Sequence, residues 1–192
     1  DFAQRGAPLA AEVHDEAVYF FTEGASLRLP IIPPPLQNHG NYVVSLNAFG
    51  RWLAEQVEAA GIDMFAGFAG QQVLLDGDRV IGVRTGDRGI SKEGHEKPTF
   101  EPGVDIVAKV TILCDGVRGN LTKQLIRTRG IAREAEPAQF AVGLKELWEV
   151  PAGRIAPGMV VHSLGYPLRH EEFGGGFIYG LPDGQVSLGL VV

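Results

Sequence analysis

Asp115 and Gly116 stand in the stretch TILCDGVRGNLTKQL, residues 111–125. An apolar run, residues 106–114, precedes them, and a helix-like segment, residues 120–127, follows. An Asp-Gly pair ordinarily marks a tight hairpin turn. Between a strand and a helix it does something else: it points unpaired backbone N–H groups and the positive end of a helix dipole at one place. An anion such as a phosphate is favoured there. Gly116 has no Cβ and so permits close backbone approach. Asp115, at a strand end, is placed to take a hydroxyl of a ribose or ribityl chain. The plain alternative is that Asp115 caps the helix.

Other chemistry finds little support. The five histidines, His14, His39, His95, His162 and His170, form no His-x-x-x-His spacing, and no Cys-x-x-Cys exists; a metal site is not expected. Ser163 lies in HSLG, within a strand-like run and without a nucleophile elbow. The glycines of GFAGQQV and GVRGN do not complete a dinucleotide-binding pattern. Cys114 is the single cysteine, so there is no disulfide framework; inside its apolar run it is expected to be a buried small hydrophobe.

The whole chain sets bounds. It has 192 residues, 45% of them hydrophobic, enough for one domain or two small ones. A formal charge of −6 with no basic run argues against general nucleic-acid binding. No run of 18 apolar residues is present, which excludes a spanning helix but not contact with a membrane surface. The chain starts at Asp1-Phe2 without Met and stops in the strand-like SLGLVV. A fragment of a longer protein is expected.

These residues need elements to position them. EAVYFFTE reads as a strand. Residues 27–42, LRLPIIPPPLQNHGNY, carry Pro30, Pro33, Pro34 and Pro35, which forbid a regular helix and disfavour a central strand. The same segment is apolar, which suits either a loop tucked along the core or a lip for lipid. Leu46, Phe49, Leu53, Val57 and Ala60 recur at helical spacing, with Asn47 as cap and Gly61 as C′ residue. DMFAGF reads as a strand. GQQVLLDGDRVIGVRTG reads as a hairpin turning at Asp76-Gly77. Residues 87–103 read as a long exposed loop, followed by a strand over 106–114. After Gly130 come four strand-like runs, AQFAVGLKELWEV, MVVHSLGYPL, GGFIYGLP and QVSLGLVV, separated by turn signals. Short spacing between strands implies a mostly antiparallel sheet.

The order of elements resembles that of the p-hydroxybenzoate-hydroxylase-like FAD proteins. In detail, NHGNYVVSL, GVRTGDRGISKEGHEKPTFEPG, AKVTILCDGVRGNLTKQL, VGLKELWEV and FGGGFIYGL resemble the electron transfer flavoprotein–ubiquinone oxidoreductase family over essentially the whole chain, with RGAPL near the start. The implied fold class is α/β (α+β): part of an FAD-binding domain beside the mostly antiparallel sheet of a quinone-binding domain. Residues 1–44 are assigned to the ubiquinone-binding domain with its membrane-facing segment, 45–130 to the FAD-binding domain, and 131–192 to the β-rich ubiquinone-binding domain. The family's N-terminal Gly-x-Gly-x-x-Gly is absent, and one cysteine cannot ligate a 4Fe–4S cluster, which takes four thiolates. A central piece, inactive by itself, is implied.

The resemblance also implies roles. Asp115 and Gly116 match the family's second FAD motif, with Arg118 beside it. Ser45 stands where many relatives carry an Arg that meets the FAD pyrophosphate; it can hydrogen-bond but brings no charge. Gly174 and Gly175 match the paired glycines that hold a quinone headgroup through backbone groups. Leu29, Ile31, Ile32 and Leu36 belong to the segment that dips toward the membrane. No side chain is given an acid–base or nucleophilic role. Cofactors are FAD and a 4Fe–4S cluster ligated elsewhere; partners are electron transfer flavoprotein, ubiquinone and a membrane surface met monotopically, at a bacterial or mitochondrial inner membrane. The alternatives are a related FAD-dependent hydroxylase or geranylgeranyl reductase, or a non-enzymatic lipid- or partner-binding module.

Overall fold

The computed structural model describes residues 2–131 and 139–192. In chain order the first third holds β1 (Leu9–Glu12), β2 (Asp15–Phe21), β3 (Ser26–Arg28), β4 (Tyr42–Val44) and helix α1 (Leu46–Ala59). The middle holds β5 (Gly70–Asp76), β6 (Arg79–Thr85), β7 (Arg88–Ile90), β8 (Glu96–Glu101), β9 (Asp105–Val107) and helix α2 (Asn120–Arg129). The last part holds β10 (Gly143–Glu149), β11 (Met159–Gly165), β12 (Gly175–Gly180) and β13 (Gln185–Val191). Ala138, at the head of the first run expected as a strand after Gly130, lies outside the described residues.

The chain divides into two compact units. One is Asp1–Asp63 with Gln139–Val192, the other Met64–Ala138. Helix α1 therefore falls in the first unit, apart from the middle residues with which the sequence grouped it.

The first unit is built on a six-stranded sheet in the order β10-β13-β12-β11-β2-β3. Every pairing is antiparallel except β11 with β2. The four late runs are thus the strands that their turn signals imply, and β2 joins them from the start of the chain. Side chains alternate between the two faces. Val18 and Val160 lie on one face and Val186 on the other, all buried. A small ribbon, β1 paired antiparallel with β4, leads into α1. Ser45, not Asn47, caps that helix: its hydroxyl accepts from the Ala48 N–H at 3.4 Å. Asn47 instead accepts from Arg51, one turn on, at 2.5 Å. Gly61 follows the cap with φ 74°, the left-handed conformation expected of a C′ glycine.

The proline segment is neither strand nor helix beyond one 3₁₀ turn, Pro34–Leu36. Both its ends are fastened to β2. The Leu29 N–H donates to the Val18 carbonyl at 2.8 Å, and the Asn38 N–H donates to Glu16 Oε2 at 2.8 Å.

The second unit is a three-stranded sheet, β5-β6-β9, with α2 against β5, and a separate hairpin β7-β8. Four expectations fail here. DMFAGF forms turns, not a strand. The β5–β6 turn occupies Gly77-Asp78, because Asp76 already pairs with Arg79. Residues 87–103 are not a loop; they fold back as β7 and β8, whose residues Arg88 and Glu101 pair and form an ion pair at 3.3 Å. The run 106–114 is strand only as far as Val107, where β9 pairs with β6. The Ala108 N–H still donates to the Ile81 carbonyl of β6 at 2.9 Å, but no strand pairing is described beyond it, so there is no ladder to hold the extended form. Val110 and Ile112 are accordingly 76% and 81% exposed, and Cys114, expected to be buried, is exposed too.

Candidate flavin turn and quinone slot

The turn at Asp115 lies in the second unit. Its carboxylate accepts from the backbone N–H groups of Leu121 (2.9 Å) and Thr122 (3.1 Å) and from the Thr122 hydroxyl (2.5 Å). Gly119, the residue before the helix, has no side chain to cap it, so Asp115 supplies the cap from four residues upstream. Thr122's hydroxyl, then its N–H, holds the Asp115 carboxyl below the ordinary carboxylate range. A negative group thus already occupies the positive end of α2, and a phosphate there would meet it directly. Gly119 must be glycine, because a Cβ would lie 2.2 Å from Asp115 Oδ1.

Room remains beside this cap. Gly116 has φ 73°, and nothing lies within 4 Å of where its Cβ would be. The backbone N–H groups of Val117 and Arg118 make no hydrogen bond among the described residues. Thr111 Oγ1, upstream on the same segment, is a buried side-chain oxygen with no partner. Free donors, an open glycine backbone and an orphaned hydroxyl fit a group rich in hydroxyls and carbonyls, as a flavin with its ribityl chain is.

Ser45 lies in the first unit, where its hydroxyl is committed to the cap of α1. It also lines a cavity of about 510 Å³ whose wall includes Phe177 and Tyr179.

Gly175 opens β12 and Gly174 precedes it. Their missing Cβ atoms have a local cause: at Gly174 a Cβ would lie 2.1 Å from the Val191 carbonyl oxygen, and at Gly175 2.1 Å from that of Ser163. Close strand approach therefore demands both glycines. Gly174 also edges a second cavity of about 510 Å³, walled by Phe20, Leu164, Tyr166, Leu168 and Phe173. Arg169, His170 and Glu172 form its polar rim. The arrangement is an aromatic slot beside bare backbone, which suits a flat apolar ring.

The proline segment leaves the sheet next to this slot, since Phe20 pairs with Leu27 across β2 and β3. Of the four residues assigned to lipid, Ile31 is 75% exposed, while Leu29, Ile32 and Leu36 are half-buried. Leu27, which was not singled out, is 63% exposed. No helix among the described residues is long and apolar enough to cross a membrane, and no group of three or more His, Cys, Asp or Glu among them forms a metal-binding cluster.

Sequence reasoning missed one constellation. His162 of β11 and Tyr179 of β12 are hydrogen-bonded at 3.1 Å, Nε2 to Oη. HSLG and FIYG carry no spacing signal for it; only the β11–β12 register brings the two together.

Comparison with known proteins points to one family. The domain family described as "ETF-QO, ubiquinone-binding" matches residues 140–192. The electron transfer flavoprotein–ubiquinone oxidoreductase of Dictyostelium discoideum is 44% identical over the whole of this chain, the Homo sapiens protein 41% and the Pseudomonas aeruginosa protein 38%. Over its whole length the chain is similar to the electron transfer flavoprotein–ubiquinone oxidoreductases. It spans 32% of the length of the first two of these relatives and 36% of the third. Among solved structures, a flavin-dependent brominase is similar with TM-score 0.62 at 13% identity, over all of this chain and 42% of that one. A geranylgeranyl bacteriochlorophyll reductase-like protein from Thermoplasma acidophilum is similar with TM-score 0.58 at 16% identity, over 95% of this chain and 41% of that one. At such identities the likeness establishes the fold alone: the chain shares the mixed α/β fold of FAD-dependent halogenases and reductases, as the order of its elements implies.

Proposed function

We propose that this chain is the central part of an FAD-dependent oxidoreductase that passes electrons from reduced electron transfer flavoprotein to ubiquinone at a membrane surface. The observation that carries the reading is the aromatic slot edged by Gly174. It lies one strand away from an apolar segment that is tied at both ends and exposed at Leu27 and Ile31.

FAD, when bound, supplies the electron transfer. The turn Asp115, Gly116, Arg118 would hold the flavin portion through backbone donors, Asp115 stiffening the turn by its hydrogen bonds from the first turn of α2. Ser45 would offer the pyrophosphate a neutral hydrogen bond. A 4Fe–4S cluster would take no ligand set from this chain, which has one cysteine. The quinone ring would lie in the slot against Gly174 and Gly175, with Phe173 and Tyr166 stacking or closing its mouth. Leu29, Ile31, Ile32 and Leu36, with Leu27, would bury themselves in the lipid interface where the quinone dissolves. The acceptor membrane would be the inner membrane of a bacterium or mitochondrion.

The test uses the full-length parent protein with its flavin. The flavin is reduced with dithionite, ubiquinone is added, and reoxidation is followed by absorbance. Phe173→Ala is the variant of choice, since Phe173 is 97% exposed and its loss leaves the sheet intact, whereas any side chain at Gly175 disrupts the strand pairing. The KM for quinone should rise several-fold with reduction of the flavin unchanged. Flavin that ubiquinone leaves reduced in the parent protein would sink the reading.

A further inference from the structure

The first unit holds a titratable pair that the flavin and quinone roles leave unused. His162 Nε2 and Tyr179 Oη are 3.1 Å apart, and the two rings meet edge to face with centres 5.7 Å apart. Both side chains are half-buried. Burial pushes His162 below its ordinary range and Tyr179 above its own; the charge of Glu16 raises His162 and only partly offsets the burial. The pair is therefore neutral near pH 7. In that state Tyr179 donates to Nε2 and the mobile proton of His162 sits on Nδ1, which has no partner among the described residues.

Register places this pair. His162 lies directly opposite Phe177. Tyr179 is two residues to one side of Phe177 on β12, and Gly175 is two residues to the other. All three positions share the sheet face of His162 by alternation. Diagonal neighbours in an antiparallel pair lie roughly 7–8 Å apart, so His162 stands between Tyr179 and the backbone of Gly175. On its far side Tyr179 lines a cavity of about 230 Å³ with Asn38, Asn41 and Val160, large and polar enough for water. The groups that face the pair are Glu16 of β2, Tyr42 of β4 across this cavity, and, in the cavity that Tyr179 shares with Ser45, Lys145 of β10 and Asp183 of the turn between β12 and β13.

We propose that Tyr179 and His162 carry protons from this water-sized cavity to a quinone held at Gly174 and Gly175. The proposal rests on the quinone reading above. Reducing a quinone to a quinol takes two electrons, which the reduced flavin supplies, and two protons. For one of the two protons, the Nδ1–H bond of His162 breaks as an O–H bond forms on the quinone oxygen. Tyr179 passes its hydroxyl proton to Nε2, and a water in the cavity restores Tyr179. The second proton reaches the quinone from solvent water, and between turnovers His162 regains its Nδ1 proton from water and returns its Nε2 proton through Tyr179. His162 is the group that reaches the reacting oxygen, directly or across one water. Tyr179 acts through it.

The test again uses the full-length flavoprotein, with His162→Gln and Tyr179→Phe. Pre-reduced flavin is mixed either with a short-chain ubiquinone or with ferricyanide, an acceptor that takes electrons and no protons. The ring nitrogens of His162 are followed separately by NMR of histidine-labelled protein. His162→Gln should slow reoxidation by quinone about 10²-fold, the scale of lost general-acid help. Tyr179→Phe should slow it less, abolish its solvent isotope effect and move the titration of His162. Ferricyanide should oxidise both variants at the parent rate. Quinone rates unchanged in both variants, or equal slowing with quinone and ferricyanide, would overturn the proton path while leaving the quinone site standing. Parent flavin that ferricyanide oxidises and quinone does not would overturn the quinone reading itself.

Discussion

At the scale of single residues, Asp115 decides how far the sequence speaks for itself. Its type and place before a helix allow a cofactor contact or a helix cap, and the structure makes it a cap, with three hydrogen bonds onto Leu121 and Thr122. The two roles are compatible only if the cofactor meets the backbone at Gly116 rather than the carboxylate. Asp115→Ala should fray the first turn of α2, read as several-fold faster amide exchange at Leu121 and Thr122. The pH dependence has a fixed sign. Hydrogen bonds from Thr122 hold the folded-state pKa of Asp115 below its ordinary 3.8. Its contribution to stability is therefore complete above that value and is lost as pH falls through the folded one. Asp115→Ala should remove this acid step from the unfolding of α2, and exchange rates at those two amides that match the parent at every pH would refute the cap. Gly174 and Gly175 teach a related lesson. The sequence marks them as special, but the cause visible in the structure is strand packing against Val191 and Ser163.

At the scale of elements, what was legible had a local cause. Helix α1 follows from apolar residues at helical spacing, and β10 to β13 follow from turn signals at short intervals. What failed depended on partners far away in sequence. A run such as 106–114 becomes a strand only beside another strand, and β9 finds one at β6 for three residues before it runs out. The polar stretch 87–103 has no apolar alternation, so a hairpin there is held by its own pairing and by Arg88 with Glu101. The docking of α2 is a further element-level matter. Leu121 is the buried residue of that helix, pressed so closely onto β5 that a Cβ at Gly70 would lie 2.6 Å from its Cδ1. Gln124 adds hydrogen bonds to the Gln71 carbonyl at 2.6 Å and from the Val73 N–H at 3.4 Å. Leu121→Ala should destabilise the second unit by about 2–5 kcal/mol, the usual range for a buried leucine. Chemical denaturation followed by circular dichroism measures it; a loss under about 1 kcal/mol would mean the contact is slack.

At the scale of the whole molecule, much apolar surface is bare. Leu144, Ile112, Val110, Val117 and Phe173 are each at least three-quarters exposed. The isolated 192-residue chain should therefore bind a hydrophobic dye such as ANS and aggregate on concentration, while the full-length parent should do neither. A monodisperse, dye-silent fragment would contradict this. The sequence anticipated the relatives and the β-rich half well, because specific loops and turn residues are carried in the chain itself. It could not anticipate which apolar surfaces stay bare, since that depends on what covers them.

One pairing has a bearing on how the protein is made. β2 and β11 lie side by side in parallel, with Asp15 opposite Met159. The second unit is interposed between them in the chain. A ribosome must therefore add about 140 residues after β2 before its neighbour exists, a wait of roughly 7–30 s at ordinary synthesis rates. During that interval the Met64–Ala138 unit has all its own strands and can collapse first, as an inserted body. The aromatic strand with Phe20 and Phe21 meanwhile waits with one edge unmated, next to the apolar proline segment. The nascent chain is most vulnerable in that window, and a holdase that favours exposed aromatic strands would find its client there.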